Sequence, residues 1–248
     1  MSQDGKTYLG NTLDIRDISL TLAVMSSNEE ESITYRNRVN KVFNPKVNEG
    51  WLIYKDNLKE RKIKCIVNKI PYWDKESDIY LQTCLISLTA NNPYWTDLLE
   101  SKEEIALWIG SFSFELELVA GGIEMGYRQP STIVNVINQG DVECGLRVEF
   151  KALATVVNPS LTNINTGEYI KINKTMVVDE VISISTYFGN KKVESTLNSV
   201  TTNNFNYIDF NSTFLQLDTG DNIFKYDAET GVDSLECSLY YNPQYLGV

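Results

Sequence analysis

The chain of 248 residues contains no histidine. That absence removes Ser-His-Asp and Cys-His nucleophiles, histidine-ligated metals and the commonest general base near neutral pH. Cysteine is scarce: Cys65, Cys84, Cys144 and Cys237 lie far apart, and no CxxC pair points to zinc or redox chemistry. Cys144 and Cys237 each sit in an alternating apolar pattern, which predicts buried free thiols. Long hydrophobic runs are missing, none approaching the ~20 residues that span a bilayer. The start, MSQDGKTYLG, has neither the basic head nor the apolar centre of a signal peptide. Positive charge is also short. Against 33 Asp and Glu stand 22 Lys and Arg, and a net charge of -11 opposes binding to nucleic acid, which needs clustered cations to displace counterions. The basic clusters KERKIK (59–64) and GNKKV (189–193) read as solvated strand or turn charges. No GxxxxGK[ST] loop occurs, and GGIEMG (121–126) lacks the spacing and helix context of a dinucleotide site.

What is present is globular: 42% hydrophobic and 22% charged residues, enough for two cores in a chain this long. The first part reads strand, helix, strands. LDIRDISLTLAV (13–24) alternates, with Ile18, Leu20 and Leu22 on one face of a half-buried strand. In SSNEEESITYRNRVNKVFNP (26–45), Ser26, Ser27 or Asn28 can cap a helix near 28–43. Glu29, Glu30 and Glu31 suit its first turn, Tyr35, Val39 and Val42 recur at helical spacing, and Pro45 ends it. GWLIY (50–54), RKIKCIVNKIPYW (61–73) and IYLQTCLISLTANNPYW (79–95) read as strands, with WDKESD (73–78) as the turn of a hairpin between the last two.

From about residue 105 the pattern is strand only. FSFELELVA (112–120), VECGLRVEF (142–150), VISISTYF (181–188) and LECSLYY (235–241) alternate, and Gly189-Asn190 supplies a turn before the chain returns. Phe210, Phe214, Leu215, Leu217, Ile223, Phe224 and Tyr226 are expected in two strands joined by a turn at DTGDN. The expected fold is mainly β: an N-terminal β-rich domain with one α-helix over 1–100, and a C-terminal antiparallel β-sandwich of jelly-roll type over 101–248.

Candidate chemistry is thin. Asp218, Asp221, Asp227 and Asp233 are dense enough to consider for calcium, but their spacing misses the EF-hand loop and repeats no nonapeptide. Acids are plentiful enough to form a glycosidase pair, whose separation no sequence reveals. Tyr187, Tyr207, Tyr240 and Tyr241 could stack on sugar rings or pack in core and interface. No catalytic residue, cofactor-binding residue or metal ligand is predicted, and no cofactor.

The segments ISISTYFGNKKV (182–193), NNFNYIDFNSTFLQLDTGDNIFKYDAETG (203–231) and SLYYNPQYLGV (238–248) resemble the ends of the distal tail (Dit) proteins of long-tailed, non-contractile bacteriophages, many of them prophage-encoded. DIRDISLTLAV, YRNRVNKVFNP and NNPYWTD are similar to that family's first strand, its helix ending at Asn-Pro and the segment leading to its second domain. The resemblance covers most of the chain and carries no catalytic motif. It implies a structural protein of the virion tail tip, made in the host cytoplasm, and not an enzyme. It further implies a hexameric ring built by the N-terminal domain, with the tail tube protein on one side and a tail-associated lysin or fibre hub on the other. A galectin-like C-terminal sandwich would face outward, towards a receptor-binding protein or host carbohydrate; a carbohydrate-binding module is the alternative reading. The hairpin around YWDKESDIY (72–80) is the expected arm for exchange between subunits, and the acidic balance suits a channel that DNA crosses without sticking. Family members usually carry a few tens of residues ahead of SQDGKTYLG, so first strands of the N-terminal domain are expected to be missing here. Neither membrane nor specific nucleic acid is an expected partner.

Overall fold

The computed structural model describes residues 10–74, 80–105, 108–109, 127–128 and 132–248, and divides into two compact units. The strand expected at FSFELELVA, the GGIEMG segment, most of the WDKESD turn and nearly all of MSQDGKTYLG lie outside the described residues.

The first unit comprises residues 1–98 together with Leu246–Val248. Its elements are β1 (Arg16–Met25), α1 (Glu29–Val42), β2 (Gly50–Lys55), β3 (Glu60–Val67), β4 (Tyr72–Trp73), β5 (Leu81–Ala90) and β6 (Trp95–Asp97). β1 pairs antiparallel with β5, setting Ile18 opposite Leu88, Leu20 opposite Ile86 and Leu22 opposite Cys84. The alternation read in the sequence therefore becomes one apolar face, with Cys84, Ile86 and Leu88 fully buried on it. The expected strand 61–73 is two strands. The ladder breaks before Pro71, which has no N–H to give, and resumes at β4, whose Tyr72 faces Leu85.

Helix α1 follows its local signals. The Asn28 side chain accepts from Glu31 N–H at 2.9 Å, and Glu31 reaches back to Ser27 N–H at 2.8 Å and accepts from the Tyr35 hydroxyl at 2.6 Å. Trp73 Nε1 donates to Asn40 at 2.9 Å, and the Arg36 guanidinium lies 5.0 Å from the Trp73 ring. Val42 is not part of an inward stripe; it stands in the last turn, exposed, while Tyr35 and Val39 are half-buried.

The second unit, Leu99–Tyr245, is a β-sandwich. It contains β7 (Ser101–Glu104), the two-stranded pair β8 (Trp108–Ile109) and β9 (Tyr127–Arg128), then β10 (Ile133–Asn138), β11 (Cys144–Ala152), β12 (Val156–Asn163), β13 (Tyr169–Lys171) and β14 (Thr175–Met176). β15 (Val181–Ser185), β16 (Lys192–Leu197), β17 (Val200–Asn203), β18 (Gln216–Leu217), β19 (Gly220–Thr230), β20 (Leu235–Tyr241) and β21 (Gln244–Tyr245) complete it. One sheet runs β17-β16-β15-β11-β20-β7 with β18 also on β11; the other runs β10-β19-β12-β13 with β14 on β12. Inward residues of β11 (Leu146, Val148, Phe150) meet those of β12 and β19 (Leu161, Phe224, Tyr226) in one buried core. Cys144 and Cys237 are buried there as free thiols, as expected, and Cys65 and Cys84 are buried in the first unit.

In the 205–231 stretch β18 and β19 are two strands joined at Asp218–Thr219, within the expected DTGDN turn, but they lie in opposite sheets: β18 pairs with β11, and β19 with β10 and β12. Leu215, Leu217, Phe224 and Tyr226 are core, but Phe210 is 99% exposed. Its segment is a turn organised by Asp209, whose side chain accepts from Asn211 N–H at 3.0 Å and whose carbonyl accepts from Ser212 N–H at 3.0 Å.

Close approach requires glycine at one position in β11. A Cβ on Gly145 would lie 2.8 Å from Tyr187 Cα and 2.9 Å from its Cδ1. Gly145→Ala must therefore push backbone apart, and calorimetry should show the second unit destabilised by about 1–3 kcal/mol.

Candidate functional site

Metal chemistry finds no assembled site among the described residues. No group of three His, Cys, Asp or Glu side chains is placed to hold a metal ion. Of the four acids considered for calcium, Asp221 accepts from Asn135 at 2.7 Å and Asp227 pairs with Lys225 at 3.2 Å. Both of those acids are satisfied at the surface by neighbouring side chains. Burial raises the thiol of Cys144 to about 12 and that of Cys237 higher still, so neither offers a thiolate.

Glu180 is a carboxylate only 3% exposed. It accepts from Lys174 Nζ, from Ser195 Oγ and, at 3.1 Å, from Val177 N–H. Burial pushes its pKa up, yet the Lys174, Ser195 and Val177 hydrogen bonds outweigh burial and hold it below the ordinary value. Its neighbours are a cation and two donors, where a glycosidase would place a second carboxylate.

The four tyrosines separate. Tyr241 is buried and donates to Ile137 C=O at 3.2 Å. Tyr187 donates to Glu100 at 3.0 Å, and burial together with that carboxylate drives its pKa up. The Tyr240 ring is covered by the Arg147 guanidinium at 3.9 Å, with Lys102 Nζ at 5.6 Å. Tyr207 alone of the four is open to solvent, with Lys174 Nζ 5.7 Å from its ring.

What the chain offers instead is surface. Among the described residues of the first unit the buried apolar side chains are Ile63, Cys65, Cys84, Ile86, Leu88, Ala90 and Trp95. β2 has apolar side chains on both faces. Trp51 and Ile53, 56% and 55% exposed, project on the side of Lys64 and Lys62 of β3, while Leu52 lies across from the buried Ile63. Lys62 Nζ sits 5.0 Å from the Trp51 ring, and Leu58 in the connecting turn is 94% exposed. Among the described residues β2 pairs only with β3, leaving an open edge. The sequence carried a signal for this: four consecutive apolar residues, WLIY, need cover on both faces of a strand.

Comparison with known proteins gives this surface its setting. The model of the siphovirus-type tail component, C-terminal domain, matches residues 139–245, and that of the phage tail protein RIFT-related domain matches residues 1–90. The chain belongs to the siphovirus tail component family. This tail component is thus a structural part of a phage virion, and the families it matches are structural proteins and not enzymes. Among solved structures, the crystal structure of SPP1 Dit superposes with a TM-score of 0.71 at 9% identity, covering 98% of the tail component and 84% of that chain. That structure is described as a paradigm of the hub adsorption apparatus in phages infecting Gram-positive bacteria. Baseplates of phage P2 in the activated conformation, with Ca and with Sr, give TM-scores of 0.50 and 0.51 at 11% identity, covering 94% of the tail component and 80% of those chains. No curated protein matches it in sequence. The observed architecture is mainly antiparallel β with one α-helix among the described residues, and its fold is shared with SPP1 Dit.

Proposed function

We propose that this tail component is a distal tail hub subunit. Its first unit, roughly residues 1–100, builds a closed homo-oligomeric ring of six, joined to the tail tube protein on one face and to a tail-associated lysin or fibre hub on the other. Its second unit, the galectin-like sandwich, faces outward to hold a receptor-binding protein. The observation that carries this reading is the open, two-faced strand β2 with Trp51 and Ile53 in solvent, since a patch of this kind marks a surface built to be covered. Ring closure covers every copy of such a surface with an identical neighbour, which an isolated subunit cannot do. Resemblance to SPP1 Dit and to the P2 baseplates supports the same reading. A carbohydrate-binding module has less support, because Tyr187, Tyr240 and Tyr241 are occupied by protein partners.

Light scattering on the purified protein, with negative-stain imaging, tests the ring. A closed oligomer with a central opening is the expected result. A monomer at all concentrations up to about 100 μM, well above the dissociation constants of specific stable interfaces, would remove the proposal.

A further inference from the structure

The GNKKV cluster stands beside an open sheet edge in the second unit. β17 is the last strand of its sheet and pairs only with β16 among the described residues. All four of its residues are exposed, and its sequence, VTTN, has no charge and no proline, the devices that normally blunt an edge. The two strands are joined by Asn198 and Ser199, both at positive φ, 49° and 62°, which makes a tight two-residue hairpin. Across it Leu197 faces Val200 and Ser195 faces Thr202, and Asn204 N–H donates to Val193 C=O at 2.8 Å. Hydrogen-bonded pairs alternate along an antiparallel ladder, so Val200, Thr202 and Asn204 turn their backbone groups to β16. Thr201 and Asn203 turn theirs outward.

A recess lies on each face of this edge. The inner one, about 290 Å³, is lined by Ser195, Leu197, Val200, Thr202, Lys174 and Glu180. Its only charges are the Lys174–Glu180 pair, which neutralise each other, so what it offers an incoming side chain is apolar contact with Leu197 and Val200. The outer one, about 160 Å³, is lined by Lys191, Lys192, Val193, Glu194, Asn203 and Phe205. Neither lysine has an ion-pair partner among the described residues; Lys191 Nζ rests 4.8 Å from the Phe214 ring and 5.7 Å from that of Phe188. Two lysines against the single Glu194 make the outer recess cationic on a chain whose net charge is -11.

We infer that β17 is the docking edge for an extended segment of a different polypeptide, added as a further strand, with small apolar side chains entering the inner recess and acidic ones meeting Lys191 and Lys192. Strand period places alternate side chains on opposite faces, so an apolar–acidic alternation fits both recesses at once. The outward N–H and C=O groups of Thr201 and Asn203 supply the main-chain hydrogen bonds. This deepens the reading in which the second unit carries a partner, and it does not require the ring.

The probe is the peptide acetyl-Val-Asp-Val-Asp-Val-Asp-Val-amide, added to the full chain at up to millimolar concentration. Hydrogen exchange should slow at Thr201 and Asn203. Of two control peptides, one N-methylated at every Asp and one at every Val, the form that blocks the edge facing β17 should bind at least about tenfold more weakly, the equivalent of one or two lost hydrogen bonds. Thr201→Pro, which removes an outward N–H, and Lys191→Glu with Lys192→Glu should each weaken binding similarly. Absence of binding at millimolar peptide, or binding indifferent to both N-methylated forms, overturns strand addition. Protection of Thr201 and Asn203 that rises with protein concentration, without peptide, assigns the edge to a second copy and overturns the partner. Light scattering on Thr201→Pro separates the two proposals: oligomerisation through the first unit should be unchanged.

Discussion

The double substitution Trp51→Glu and Ile53→Glu is expected to abolish the self-association of this tail component while leaving its subunit folded. Both side chains are more than half exposed in the isolated chain, so removing them costs the monomer little of its own burial. Their cross-strand partners are Lys64 and Lys62, so the introduced carboxylates face opposite charge and the β2–β3 ladder should persist. In an assembled ring the same carboxylates would be buried against a neighbour without a matching cation. Buried aromatic anchors at interfaces are typically worth about 2 kcal/mol or more each, so the dissociation constant should rise by about 30-fold or more. Light scattering reads the loss, and an unchanged circular dichroism spectrum shows that the subunit survives. An oligomer of undiminished affinity would show that the Trp51 face is not the subunit interface.

Removal of the Glu180 carboxylate should produce a large stability loss for a single polar substitution. Glu180→Ala leaves Ser195 and the Val177 amide without their acceptor and Lys174 without its counter-ion. Breaking a fully buried pair costs about 3–5 kcal/mol, but Lys174 is partly exposed and can reach water, so about 2–4 kcal/mol is expected by urea denaturation. The pH dependence has a definite sign. The folded pKa lies below the ordinary 4.5, so the carboxylate stabilises the fold fully above that value. The contribution is lost as pH falls through the lower, folded value. Glu180→Gln should therefore be less stable at neutral pH and should lose the part of the acid-side decline that this group contributes. Replacing both partners, Lys174→Met with Glu180→Leu, should cost less than Glu180→Ala, because no unpaired charge is left behind and the leucine fills the space, although Ser195 and the Val177 amide still lose their acceptor.

Local chemistry was readable wherever a signal and its consequence lie within a few residues. Asn28 caps the helix because its side chain needs only Glu31 N–H, three residues on. Ile18, Leu20 and Leu22 share a face because strand geometry alternates whatever the strand pairs with. The thiols of Cys144 and Cys237 are buried because each continues such an alternation in β11 and β20. The absence of a histidine excluded histidine-based nucleophiles and metal sites before any coordinates. Resemblance in the strand-and-turn segments of the C-terminal half pointed to a tail protein, a lineage that the family matches then established.

Other features depended on partners far along the chain. The apolar spacing through residues 205–226 is the same whether its strands pair with each other or with opposite sheets; only the ladders to β11, β10 and β12 decide it. Phe210 reads like a core residue, yet it caps a turn that Asp209 closes, and its ring has no sheet to cover it. WLIY reads as a strand, but burial on both of its faces needs a second surface that the described residues of the first unit do not supply. Strand and helix, which side chains share a face, and the exclusion of histidine-based chemistry were legible in the sequence, because all of these follow from short-range periodicity and residue chemistry. Only the tertiary structure decided which strands meet, which edges stay open and which apolar faces are left in water, because pairing is set by the competition of distant segments for the same ladder and the same core.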